Sequence, residues 1–219
     1  MADSPVPPVT RRESPRTLVL LAAGGALLVL APMLLRLLVM EAFKVPSPAM
    51  MPTLLVGDHF FVSKLPFRPR RGEVIVFRYP LDPSVDYVKR VVALAGDTVQ
   101  LRDGHLSING VDLSRPAPSG TCEEALEGEP ALDWPCEVWA EGGGSYPYQV
   151  IENARHDPFG PFTVPPATVF VLGDNRPNSS DSRAWGAVPL ANVKGSALYV
   201  WWSSGGGGVR WNRIFHSIR

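Results

Sequence analysis

Apolar positions follow two different patterns along this 219-residue chain. From Thr17 to Leu35 the run TLVLLAAGGALLVLAPMLL carries no charge and is apolar on every face. At about 1.5 Å of rise per residue, a helix of this length reaches the thickness of a bilayer core. A buried core helix would not need all its faces apolar. A cleaved export signal would have a shorter apolar stretch ending in a small-x-small site, and VMEAFKVP is a poor one. The pattern therefore predicts an uncleaved transmembrane helix over 17–40, with Arg36 reaching toward the headgroups and Pro32 tolerated as a kink. Residues 1–16, polar and Pro-rich, are expected to form a disordered tail. Arg11, Arg12 and Arg16 on the N-side, against Arg36 and Lys44 on the C-side, slightly favour a cytoplasmic N-terminus.

Beyond residue 40 the pattern shortens to strands. HFFVSK, VIVFRY (74–79), YVKRVVAL (87–94) and TVQLR (98–102) are β-branched or aromatic, and RPRRG, DPS, AGD and RDG punctuate them. LSING (106–110) reads as a strand entering an Asn-Gly turn. Periodicity weakens over 114–162, which is rich in Pro, Gly and Glu. It resumes in TVFVLGDN (168–175) and ALYVWW (197–202). The expectation is a mainly β fold: a β-rich core from 41–113 and 163–219, with 114–162 inserted as a smaller cap. The basic, aromatic tail VRWNRIFHSIR suits a membrane surface or a packed terminal segment.

Composition narrows the function. Lys plus Arg and Asp plus Glu both count 21, so the formal charge is zero, which argues against a nucleic-acid partner. The two cysteines, Cys122 and Cys136, fall in the predicted insertion. A disulfide between them suits a location outside the cytoplasm, the alternative being two unrelated buried thiols. His59, His105, His156 and His216 are scattered without metal-ligand spacing, and no metal or organic cofactor is implied.

Two segments carry candidate chemistry. Lys89 lies in the middle of YVKRVVAL, with Tyr87 and Val91 on its face. If buried, its amine would lose proton affinity through desolvation and serve as a general base near neutral pH. On strand pattern alone, the default is an edge lysine with its amine in water. The segment GDNRPNSSDSRAWG (173–186) offers Ser179, Ser180 and Ser182, and the charges of Asp174, Arg176, Asp181 and Arg183. Taken alone it is a polar loop of Asx turns and ion pairs.

In this order behind an apolar segment, PSPAMMPTLLVGD, RGEVIVFRYP, YVKRVVALAGD and GDNRPNSSDSRAWG closely resemble bacterial type I signal peptidases. Ser/Lys self-cleaving repressors share the dyad but fit less well. The resemblance spans about Phe43 to the end, apart from the insertion. It implies a membrane-anchored serine endopeptidase with a Ser/Lys dyad, removing signal peptides from exported preproteins on the extracytoplasmic side of the bacterial cytoplasmic membrane. Its partners would be those signal peptides and the lipid bilayer. By the same resemblance, Lys89 matches the general base and Ser179 the serine that orients the lysine amine. Asp181 and Arg183 match an ion pair that braces the site, and Ser47 an oxyanion-hole hydroxyl acting with the backbone N–H of the nucleophile position.

That position is Ala49. The family pattern Ser-x-Ser-Met here reads Ser47-Pro48-Ala49-Met50, and alanine has no hydroxyl to attack a carbonyl. Three readings stay open: a Ser-to-Ala variant, a natural non-catalytic protein that binds preproteins or other envelope proteins, or takeover by Ser47. Pro46 and Pro48 favour an extended path that would place Ser47 and Ala49 on one side, about 7 Å apart. A purely structural envelope protein is a further alternative, but it would have no reason to keep both Lys89 and Ser179.

Overall fold

The computed structural model describes residues 19–20, 23–28, 30–31, 33, 39–113, 118–122, 136–142, 148–152 and 158–219. The expected tail 1–16 and much of the expected anchor 17–40 lie outside them. The described residues between 19 and 33 are helical, and Val19, Leu20, Leu27, Leu28, Leu30 and Met33 among them are exposed. No helix among the described residues is long and apolar enough to cross a membrane. The sheet begins at Met40, the last residue of the expected anchor, where β1 (Met40–Lys44) pairs antiparallel with β2 (Asp58–Ser63).

The central sheet explains why its strands read as continuous apolar runs. β3 (Val74–Tyr79) lies between β4 (Asp82–Leu94) and β14 (Val193–Gly205) and is covered on both faces. Alternation sends Val74 and Val76 into one cluster with Val45, Met50, Leu54, Phe60, Val62 and Val200. Ile75 and Phe77 go to the opposite face, with Val91, Val169, Val171 and Val188. Fully burying each such side chain contributes roughly 1.5–3 kcal/mol relative to leaving it exposed. β12 (Thr168–Leu172) continues the sheet and ends on β13 (Val188–Pro189), giving the order β1-β2-β14-β3-β4-β12-β13. The short strand β15 (Gly208–Val209) pairs with the end of β14. β4 and β14 both start earlier than the sequence pattern suggests, because polar residues 82–86 and the stretch 193–196 also pair with β3.

Two smaller sheets complete the described chain. β5 (Thr98–Arg102), β6 (His105–Ile108), β7 (Val111–Asp112) and β11 (Phe159–Thr163) form one, in the order β11-β5-β6-β7. The predicted Asn-Gly turn joins β6 to β7, with Asn109 at φ 55° and Gly110 at φ 77°, the left-handed values such a turn requires. Core pairing thus resumes at Phe159. β8 (Pro118–Thr121), β9 (Glu137–Glu141) and β10 (Tyr148–Glu152) form a separate three-stranded sheet within the segment of weak periodicity.

Cys122 and Cys136 are joined in a disulfide, with Cα atoms 5.7 Å apart. They pack with Val138 and Ile151 against Met51 and Leu55, which follow Ala49 in the chain. The two cysteines are 14 positions apart in the sequence. Removing the disulfide with Cys122→Ser and Cys136→Ser should lower the unfolding free energy by about 3 kcal/mol, as urea denaturation followed by tryptophan fluorescence would record. An unchanged midpoint and slope would contradict this.

Candidate active site

The site is built on one register. β12 pairs with β4 so that Leu172 faces Arg90. The pairing ends there, with Gly173 and Lys89 the next residues along the two strands. Successive residues point to opposite faces, so Lys89 and Arg90 serve opposite sides of the sheet.

Lys89 is only 5% exposed, not the edge lysine that strand pattern alone favours. Its amine donates to the Val88 carbonyl at 3.1 Å and lies 5.3 Å from the centre of the Tyr87 ring. Desolvation pulls its pKa down, the charges of Asp181 and Asp174 pull it back up, and Arg183 lowers it again. The result is about 8. A sizeable neutral fraction therefore exists near physiological pH.

Arg90, fully buried, anchors the other side. Its guanidinium forks onto Asp174, with Nε to Oδ1 at 2.8 Å and the second contact at 2.6 Å. It also donates to the Gly72 carbonyl, and it stacks 4.2 Å from the centre of the Tyr148 ring. Thr53 Oγ1 donates to Asp174 Oδ2 at 2.5 Å. Asp174 is thus tied to β4 and to the loop after Ala49, and its carbonyl accepts from Ile151 N–H of β10.

Ala49 lies in a 3-10 turn, Pro48–Met50, inside the loop that joins β1 to β2. The extended path expected through Ser47 and Ala49 holds at Ser47 (φ −135°, ψ 155°) and ends there, because Met51 N–H donates back to the Pro48 carbonyl. Ser47 is exposed while Ala49 is buried. Asn175 clamps this turn: its backbone N–H donates to the Ala49 carbonyl at 3.1 Å and its Nδ2 to the Pro48 carbonyl at 3.2 Å. Gly173 makes the approach possible. A Cβ there would come within 2.5 Å of the Ala49 carbonyl oxygen and overlap Ser179 Oγ.

Ser179 therefore packs against the same glycine as Ala49. Its hydroxyl is buried and makes no hydrogen bond, so the contact with the Lys89 amine that the resemblance implies is not formed in this structure. Asn175 Oδ1, beside the same turn, is also buried and unsatisfied. Unpaired polar atoms of this kind are rare in native folds. Asp181 is fully buried, accepts from Gly173 N–H at 3.0 Å, and pairs with Arg183 at 2.8 Å. Arg183 in turn donates to the Arg176 carbonyl at 2.7 Å.

The structure thus gathers Ala49, Ser179 and Asp181 around Gly173, with Arg183 paired to Asp181 and Lys89 near enough to feel both charges. It leaves Ser47 at the exposed entry to the turn. Sequence reasoning missed Gly173, Asn175 and Arg90 as parts of this constellation. It grouped Asp174 and Arg176 with local ion pairs, whereas Asp174 pairs with Arg90 and Arg176 is buried in a pair with Glu141 of β9. The run Gly-Asp-Asn was the available signal, since each of its residues has a separate partner. No group of His, Cys, Asp or Glu among the described residues could hold a metal ion.

A family model described as signal peptidase, peptidase S26, matches residues 17–202. The chain is 35% identical to signal peptidase I of Aquifex aeolicus, with 81% of each chain covered. It is 36% identical to signal peptidase I of Pseudomonas fluorescens, covering 78% of this chain and 68% of that one. The signal peptidase I of Pseudomonas aeruginosa is 34% identical over the same shares. The chain belongs to the signal peptidase family, peptidase S26, a family of hydrolases.

The Arg90–Asp174 pair makes a stability prediction. Arg90→Met or Asp174→Leu alone leaves a buried charge without its partner and should cost about 3–5 kcal/mol. The double variant should cost less than the sum of the two, as a double-mutant cycle in urea would measure. Additive losses would show that the two side chains do not depend on one another.

Proposed function

We propose that this chain is a signal peptidase I-type protein that binds the signal peptides of exported preproteins, and that Ala49 leaves it unable to cut them. The observation that carries this reading is the buried Lys89, of lowered pKa, which follows the end of the β4–β12 pairing as does the glycine against which Ala49 and Ser179 pack. Under this reading 17–40 is a single-pass anchor in the bacterial cytoplasmic membrane, 1–16 its cytoplasmic tail, and the β core lies on the extracytoplasmic side. The disulfide agrees with that placement.

With serine at position 49, neutral Lys89 takes the hydroxyl proton while the oxygen attacks the scissile carbonyl. Ser47 and the N–H of residue 49 hold the oxyanion. Asp181 and Arg183 fix the loop that carries Ser179, and Ser179 orients the amine once substrate closes the site. The Lys89 ammonium then gives that proton to the leaving amine as the scissile C–N bond breaks, and the neutral amine takes a proton from the water whose oxygen attacks the acyl-enzyme and releases the acyl group. The substrate lies extended along an open strand edge, with small side chains of the Ala-x-Ala kind directed inward. Alanine at 49 removes the attacking atom and leaves the binding surfaces in place. That favours a binding role for the chain as it stands.

A preprotein cleavage assay tests this. Ala49→Ser should cut, and Ala49→Ser with Lys89→Ala should not. The rate of Ala49→Ser should rise with pH through about 8, since the general base works only after losing its proton. The unaltered chain should be inactive. Cutting by the unaltered chain that disappears on Ser47→Ala would instead assign the nucleophile to Ser47. No cutting by any variant would overturn the peptidase reading.

A further inference from the structure

The peptide unit that joins Pro48 to Ala49 is bonded on one side only. Its carbonyl accepts twice, from Met51 N–H at 3.1 Å and from Asn175 Nδ2 at 3.2 Å. Its N–H, that of Ala49, has no acceptor among the described residues, although Ala49 is buried. In a trans peptide the carbonyl and the N–H share a plane and point in opposite directions. Whatever fixes the Pro48 carbonyl therefore aims the Ala49 N–H. Hydrogen bonds on the carbonyl also polarise the amide and strengthen its N–H as a donor.

The Met51 bond belongs to the turn itself and tilts with it. Asn175 reaches the carbonyl from outside the turn, and its own backbone N–H holds the next carbonyl, that of Ala49, at 3.1 Å. One residue thus grips the peptide units on both sides of the Ala49 Cα. Asn175 is itself fixed: it is fully buried, its carbonyl accepts from Asn178 N–H at 3.1 Å, and it bridges to Ile151 of β10. Its side chain is kept at a cost. With Nδ2 on the Pro48 carbonyl, Oδ1 is buried without a donor. A half-satisfied buried amide serves stability less well than an apolar side chain does. Stability therefore does not account for the asparagine, whereas the aim of the Ala49 N–H does.

We infer that Asn175 is a positioning residue, whose side-chain amide holds the Pro48–Ala49 peptide plane so that the N–H of residue 49 points at the oxygen of the scissile carbonyl. This rests on the reading of the site as that of a signal peptidase I-type protein. When the oxygen of a serine at 49 bonds to the scissile carbon, the π pair of the carbonyl moves onto its oxygen. The free N–H meets that charge already aimed, with no reorganisation left to make. Asn175 acts through the turn and not through Lys89.

Steady-state cleavage of a preprotein by the full chain in detergent micelles reads this, with Ala49→Ser as the background. Asn175→Ala removes the amide, and Asn175→Val removes it while keeping more of the side-chain volume. Both leave the backbone N–H on the Ala49 carbonyl. Each should lower kcat by about ten- to a hundredfold, the range between a misaimed and a missing oxyanion donor. KM should stay nearly constant, because the donor bonds the developing charge more strongly than the ground-state carbonyl. The rate should still rise with pH through about 8, since Lys89 keeps its surroundings. The urea midpoint of Asn175→Val should stay close to that of the background chain. An unchanged kcat in both variants overturns the inference. A rise in KM that accounts for the whole loss also overturns it, as does a displaced pH midpoint. Loss of folding in both variants would make Asn175 a structural residue and overturns it too. Each of these results leaves the peptidase reading intact, whereas no cutting by Ala49→Ser itself overturns both.

Discussion

The buried pair between Arg90 and Asp174 is the constraint on which the site depends. Both side chains are out of water, and ionised groups there are tolerated only with close partners. The guanidinium fork fixes Asp174 against β4, and Thr53 ties the same carboxylate to the loop after Ala49. With Asp174 fixed, its neighbours Gly173 and Asn175 are held against the Ala49 turn. Tyr148, over the guanidinium, and Ile151, bonded to the Asp174 carbonyl, bring the disulfide-bearing sheet onto the same point. A single ion pair thus sets the relative positions of two sheets and one loop.

The pair also accounts for the state of Lys89. A buried ammonium is costly, and the protein places two carboxylates close enough to raise its pKa but not close enough to bond it. Asp174 is occupied by Arg90 and Asp181 by Arg183. Each carboxylate is largely neutralised by its arginine, so desolvation prevails at the lysine. The same arrangement is retained around an alanine. Electrostatics suited to a base thus surround a position that offers no proton to remove.

Much of this was legible in the sequence, in proportion to how local it is. The runs 74–79 and 168–172 showed as strands because strands covered on both faces must be apolar throughout. The Asn109-Gly110 turn was legible because few residue pairs accept its backbone. The motifs around Ser47, Lys89 and Ser179 carried the family resemblance. The partners of Arg90 and Arg176 were not legible, since Asp174 and Glu141 lie 84 and 35 residues away and no periodicity links them. The burial of Lys89 was obscured for a related reason: pattern shows which face a residue takes, not what covers that face. The 3-10 turn at Ala49 was hidden by prolines that suit an extended path equally well. The strands β8, β9 and β10 are only four or five residues long and stand among Gly- and Pro-containing stretches, so they leave little alternation to read.

Direct titration of the Lys89 amine tests the central claim most closely. In the unaltered chain, with lysine Nζ and its adjacent carbon isotopically labelled, the Lys89 resonance would be followed by NMR from neutral to alkaline pH and assigned by its loss in Lys89→Met. The account predicts a midpoint near 8, well below the other lysines. A midpoint at about 10.4, the value of a solvated lysine, would contradict it.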